Sequence, residues 1–230
     1  NLTLDILGKR ADGYHEVAMV MQSVSLHDTI RLEKAERGIA LTIDRPDLAA
    51  DETNLAWRAA RLMMDVHSIQ SGVRIDIVKR IPIAAGLAGG SADAAAVLRG
   101  LDALFGLGLS NEALCELGAR IGSDVPFCIQ GGTMLATGRG EVLRRLPDMP
   151  AAWVVLVKPP VAVSTGWAYQ SYDAAPALVH PDNTAMLAAI AAGDLDGSGR
   201  QLGNVLETVT VKKYEEISRI RQRMLEAGAL

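Results

Sequence analysis

Aromatic residues make up only 4 % of the 230-residue sequence, as three Trp, four Tyr and two Phe. Nor is there a dense lysine or arginine stripe, and the formal net charge is −4. A chain with neither basic patches nor interleaved aromatics is a poor match for nucleic acid, so none is expected as a partner. No apolar run approaches the roughly 20 residues that cross a bilayer as a helix, so no membrane partner is expected either. Cysteine is limited to Cys115 and Cys128. They form no CxxC pair, and no histidine stands at zinc-ligand spacing, so no residue is expected to ligate a metal. Both read as core residues, and two lone cysteines suit a reducing, cytoplasmic setting. Two familiar nucleotide fingerprints are also missing. No lysine follows the glycines as in GxxxxGK[ST], and no GxGxxG occurs.

What is present is a small-residue loop between a strand-like and a helix-like run. Val73 to Val78 has β character, and an alanine-rich helical run extends from Ser91 to about Phe105. Between them lie Pro82-Ile83-Ala84-Ala85-Gly86-Leu87-Ala88-Gly89-Gly90-Ser91-Ala92. Small residues let the backbone curl so that several N–H groups point at one spot. The helix start adds free N–H groups and the positive end of its dipole, which is how a phosphate is held. By itself, such a loop is more often a close-packed turn than a phosphate site.

Two further segments carry chemistry-bearing residues. In Gly122-Ser123-Asp124-Val125-Pro126, proline just inside a helix start makes Asp124 first of all an N-cap. Its functional reading is a carboxylate beside a reacting hydroxyl, kept ionised by the helix dipole. Phosphoryl transfer depends mainly on positioning and charge stabilisation, which a well-placed aspartate can serve. In Arg10-Ala11-Asp12-Gly13-Tyr14-His15, an Asp-Gly turn reads first as a hairpin corner. It also offers an aromatic face and an imidazole to a ring-shaped ligand. His27, His67 and His180 are assigned no role.

Hydrophobic residues make up 49 % and charged residues 22 % of the chain, as in a globular enzyme of one large or two small domains. Alternation predicts strands from Leu2 to Ile6, Val17 to Ser25, Thr29 to Lys34, Ile39 to Asp44, Gly131 to Thr137 and Glu141 to Leu146. A buried strand is predicted at Ala152–Val157. Helices are predicted at Asn54–Val66, Asn111–Ile121 behind a Ser110 cap, Ser164–Tyr172, Asn183–Ala192, Gly199–Glu207 and Val211–Ala227. Asp194 to Gly199 reads as a loop. The proline-bounded stretch at 147–150 predicts domains of residues 1–147 and 148–230, in an α+β architecture whose second part is mostly helical. The chain starts within a strand pattern and stops just past a helix end, so residues are expected to be missing on both sides.

In their order along the chain, Arg10–His15, then the small-residue loop, then Gly122–Pro126, the three motifs resemble the GHMP kinase superfamily. They most resemble its branch acting on a cytidine-diphosphate-linked methylerythritol in non-mevalonate isoprenoid synthesis. The resemblance implies a two-domain GHMP kinase fold. Its N-terminal domain would be like ribosomal protein S5, with a left-handed βαβ crossover, against the usual hand. It implies ATP with Mg2+, residues 82–92 around the phosphates, Asn54 near the adenine and Asp124 as the catalytic carboxylate. Tyr14 and Tyr169 would sandwich the cytosine, His15 would bond its edge, Asn1 would lie close to the reacting hydroxyl, and Thr165 would touch the substrate. It implies a cytoplasmic monomer or weak homodimer. The family's catalytic lysine would stand two residues before Asn1, and its C-terminal glycine-rich motif beyond Leu230. Glycines usual in the loop are here Ala84, Ala85 and Ala88, tolerable only where φ stays negative. A GHMP kinase for another alcohol, and a non-catalytic nucleotide-binding protein on the same fold, remain alternatives.

Overall fold

The computed structural model describes residues 1–230. The chain opens as a hairpin, with β1 (Thr3–Lys9) antiparallel to β2 (His15–Gln22) around the Asp12-Gly13 turn. Gly13 takes φ +85°, a left-handed value that suits glycine. From Ser23 the chain forms β3 (Thr29–Ala35), β4 (Ile39–Ile43), α1 (Leu55–Val66), β5 (Gly72–Val78), α2 (Gly89–Phe105), α3 (Asn111–Ala119) and α4 (Val125–Gln130). There follow β6 (Thr133–Thr137), β7 (Val142–Arg145), α5 (Thr165–Asp173), α6 (Asn183–Ala191), α7 (Leu195–Arg200), β8 (Gly203–Asn204), α8 (Glu207–Lys213) and α9 (Glu215–Glu226). No helix is long and apolar enough to cross a membrane.

Two units result. One joins Asn1–Gln22 to Gly132–Leu230, and the other is Ser23–Gly131. The division expected after residue 147 falls inside the first unit. There β6 pairs antiparallel with β2, so the opening hairpin and the later half of the chain share one sheet, ordered β7-β6-β2-β1-β8. Val20, Leu146, Met186 and Ile190 form a core cluster of this unit.

The second unit is built on the sheet β3-β5-β4. β4 runs parallel to β5, and α1 makes the crossover between them. Along β5, Val73, Ile75 and Ile77 are buried while Arg74 and Val78 face solvent, the period-two pattern of a strand with one face inward. Asn54 caps α1 by accepting the Ala56 N–H at 2.9 Å. Ala56, Ala59 and Ala60 of α1 and Ala94 and Ala95 of α2 are buried. Such small side chains let helices approach closely around Met63, Ile75, Leu98 and Leu101.

The C-terminal third corrects several expectations. Ala152–Val157 forms no strand. Its apolar run pairs with no other strand, and Trp153, Val154 and Val155 are exposed. The stretch expected as a loop carries α7, because the Asp194 side chain accepts the Gly197 N–H at 2.8 Å and starts a helix. The helix expected at Gly199–Glu207 is replaced by the end of α7, the short strand β8 parallel to β1, and the start of α8. The long helix expected from Val211 is two, α8 and α9, broken at Tyr214 with φ −125° and ψ 80°.

Candidate functional site

The sequence-predicted residues fall into two groups. Asn54, the small-residue loop and Asp124 belong to the second unit. Asn1, Tyr14, His15, Thr165 and Tyr169 belong to the first.

In the second unit, the loop leaves β5 and enters α2 through turns. Ala84 and Ala88 take φ +51°, and Gly86 takes +69°. The expectation that the alanines avoid positive φ therefore fails at two of three positions. A left-handed alanine crowds its Cβ against the next carbonyl and costs about 1–2 kcal/mol. Strain of this kind persists only where the surroundings enforce it, and it concentrates at functional sites. Ala88 is also the N-cap of α2 and supplies no side-chain acceptor, so no side chain caps the first turn. Gly89, Gly90 and Ser91 thus present N–H groups at the positive end of a 17-residue helix.

The loop is held at both ends by a buried ion triad that sequence reasoning missed. Lys79, just past β5, donates to Asp28 at 2.5 Å and to Asp93 of α2 at 2.6 Å. The Lys79, Asp28 and Asp93 side chains are 5 %, 3 % and 7 % exposed. Asp28 also accepts the Arg80 and Ile81 N–H groups at 2.5 and 2.9 Å, which fixes the approach to Pro82. Burial pushes the Asp93 carboxyl up to about 6, opposed by Lys79 and aided by Asp28. Its Oδ1 is buried without a hydrogen-bond partner. The available signal was a lone aspartate among core-facing alanines of α2.

Asp124 stands at the N-cap of α4 in helical conformation, with Pro126 in the first turn, yet its side chain makes no capping bond. The carboxylate is left for another use. Burial raises its proton affinity, the reverse of the lowering expected from the helix dipole. Cys128, one turn on, is pushed up to about 12 by burial and by the charges of Asp124 and Asp93. The starts of α2 and α4 therefore lie within electrostatic reach of one thiol. Asn54 spends both ends of its amide locally, on the Ala56 N–H and the Ala49 carbonyl.

In the first unit the hairpin corner sets Tyr14 and His15. Asp12 accepts the Tyr14 N–H at 3.1 Å, and Arg10 binds both Asp12 and Glu16. Tyr14 is exposed beneath Arg139, whose guanidinium lies 5.2 Å from the ring centre. Ser164 caps α5 and leaves Thr165 exposed at its first position. Tyr169 brings its ring within 4.9 Å of His15 at 34°, and Tyr172 meets the same imidazole edge-on at 6.0 Å. One turn after Tyr169, Asp173 accepts from Lys9 at 2.5 Å and lies 2.7 Å from His15 Nε2. Lys9 and His15 are cross-strand partners, so one carboxylate closes the mouth of the hairpin. Asn1 lies at the start of the same hairpin, its amide 3.8 Å from Met19 Sδ. Lys9 and Asp173 were not foreseen. Asp173 was legible only through its i,i+4 spacing from Tyr169. No group of three or more His, Cys, Asp or Glu is placed to hold a metal ion.

Residues 54–132 match the family described as GHMP kinases N terminal domain. A 4-diphosphocytidyl-2-C-methyl-D-erythritol kinase of Acetivibrio thermocellus is 48 % identical over the whole of this chain and 81 % of its own length. One of Geobacillus kaustophilus is 51 % identical over the whole chain and 79 % of its own. A crystal structure of 4-(cytidine 5'-diphospho)-2C-methyl-D-erythritol kinase superposes over 99 % of this chain and 80 % of the other, with a TM-score of 0.80 and 33 % identity. With an α+β fold, a small-residue loop and matching relatives along its full length, the chain belongs to the 4-diphosphocytidyl-2-C-methyl-D-erythritol kinase family of the GHMP kinases.

Proposed function

We propose that this kinase transfers the γ-phosphoryl group of ATP to the 2-hydroxyl of 4-diphosphocytidyl-2-C-methyl-D-erythritol, a step of the non-mevalonate isoprenoid pathway in the cytoplasm. The observation that carries the reading is the uncapped start of α2 behind a strained loop, in one unit with a half-buried aspartate that caps nothing. ATP supplies the phosphoryl group, and residues 82–92 offset the charge of its phosphates with backbone N–H groups. Mg2+, which keeps several waters and binds mainly through phosphate oxygens, would be held chiefly by the nucleotide and water. Asp124 accepts the hydroxyl proton. Its raised proton affinity makes it a better base than a solvent-exposed carboxylate. Tyr14, His15 and Tyr169 bind the cytosine, Thr165 contacts the substrate, and Asn1 lies close to the reacting hydroxyl. Binding energy from this distant base holds the hydroxyl in line for transfer. Asn54 would border the adenine by surface contact, since its side-chain amide and its backbone N–H and carbonyl are already engaged.

The test is ADP release by the full-length protein with Mg-ATP and the cytidylyl substrate, run beside mevalonate and homoserine. Turnover with the cytidylyl substrate alone is expected. Asp124→Asn keeps the shape and removes the base. It is expected to lower kcat by at least about a hundredfold with ATP affinity nearly unchanged. A loss below about tenfold, ~1.4 kcal/mol, would sink the role given to Asp124.

A further inference from the structure

The Lys9–Asp173–His15 cluster fixes which nitrogen of the neutral imidazole is the acceptor. Asp173 Oδ2 receives the Lys9 ammonium, and Oδ1 faces His15 Nε2. Hydrogen bonds from Lys9 and His15 hold the Asp173 carboxyl below its usual value, so it is ionised and can only accept. The proton on the shared bond must therefore sit on Nε2. In the neutral ring this leaves Nδ1 with a bare lone pair. Nδ1 is neither hydrogen-bonded within the protein nor sealed from solvent. The ring cannot swing freely, because Tyr169 lies against it and Tyr172 meets it edge-on. Its side chain is 9 % exposed.

We infer that Asp173 is a positioning residue that sets the His15 tautomer, so that the site presents an acceptor to the exocyclic amino group of cytosine and disfavours the carbonyl of uracil. This rests on the reading of Tyr14, His15 and Tyr169 as the cytosine site. The physics is that of a polar site which rejects an analogue by leaving two acceptors facing each other. Lys9 contributes by keeping Asp173 ionised, and it has no part in the tautomer itself.

The experiment compares kcat and KM for the cytidylyl substrate and its uridylyl analogue in the full-length wild type, Asp173→Ala, Asp173→Asn and Lys9→Met. The wild type is expected to favour the cytidylyl substrate. In Asp173→Ala the imidazole proton is free to move to Nδ1. KM for the cytidylyl substrate is expected to rise about tenfold at similar kcat, and the preference over uridylyl to shrink by a like factor. Asp173→Asn still offers Nε2–H an amide oxygen, and Lys9→Met leaves the Asp173–His15 bond intact. Both are expected to keep the preference within about threefold of wild type. A preference unchanged in Asp173→Ala overturns the inference. So does a preference lost equally in Lys9→Met, which would point to charge alone. Circular dichroism of each variant separates these results from misfolding, with Asp173→Asn serving as the folded control. Absence of turnover by the wild type with the cytidylyl substrate overturns the functional reading first, and this inference with it.

Discussion

At the residue scale, Asp93 is a costly side chain of the second unit. An aspartate in the unfolded chain titrates near 3.8, and in the fold Asp93 is held near 6. Between those values the folded state binds the proton more tightly, so stability falls as pH rises from about 4 to 6. The penalty levels off about one unit above the folded value. Asp93→Asn removes the charge, keeps an acceptor for Lys79 and leaves Lys79 paired with Asp28. In urea unfolding at pH 7.5 the variant is expected to be more stable by on the order of 1–2 kcal/mol, with the gain fading towards pH 4. A variant less stable at pH 7.5 would mean that the Lys79 attraction outweighs the desolvation of Asp93. This residue was legible in the sequence only as a misfit, a charge at a core-facing position. Which cation answered it depended on β5 ending beside α2. By contrast, Asp124 was legible because proline marks the helix start. Its unused side chain and raised proton affinity were not, since both depend on burial.

At the element scale, α2 carries the loop at one end and a soft groove along its flank. A cavity of about 470 Å³ is lined by Ile30, Leu32, Ala96, Gly100, Ala103 and Leu104. A methyl group at Gly100 would overlap Leu32 Cδ1, the far end of a flexible side chain that already borders the open groove. Glycine inside a helix costs roughly 0.5–1 kcal/mol relative to alanine. Gly100→Ala is therefore expected to raise stability by about 0.5 kcal/mol, with Leu32 turning into the groove. A fall of 1 kcal/mol or more in thermal or urea unfolding would show that Leu32 is held in place. Gly72 marks the opposite case, because a methyl there would strike the Arg37 backbone, which has nowhere to go. Regular elements with a cap and a clear period were legible: Asn54 and Ser110 open α1 and α3 as the sequence indicates. The helices α7 and α8 were not, because α7 is short and glycine-rich and rests on the Asp194 cap rather than on apolar period.

At the scale of the whole molecule, the chain folds as two units threaded by one path. Between β7 and α5 it runs without regular structure, and Trp153 is fully exposed. Extended, unbonded backbone is where proteases cut first. Limited proteolysis of this 230-residue chain is expected to cleave first within residues 151–163, read by mass spectrometry. First cleavage inside 82–88 instead would mean that the strained loop opens more readily than the irregular segment.

The sequence by itself determined the parts whose physics is local. These are the strand–loop–helix with its small residues, the Asp-Gly hairpin corner with Tyr14 and His15, the helix start at Asp124 and the capped helices of the second unit. Composition, period and capping act over a few residues, so they can be read from one. Tertiary structure alone decided what depends on distant partners. It set Asp173 between Lys9 and His15 across 164 and 158 positions of sequence. It set Lys79 between Asp28 and Asp93, and it returned β6 to pair with β2. It also held Ala84 and Ala88 at positive φ, against their own preference, because a backbone angle at a strained turn is fixed by what surrounds it rather than by the residue that adopts it.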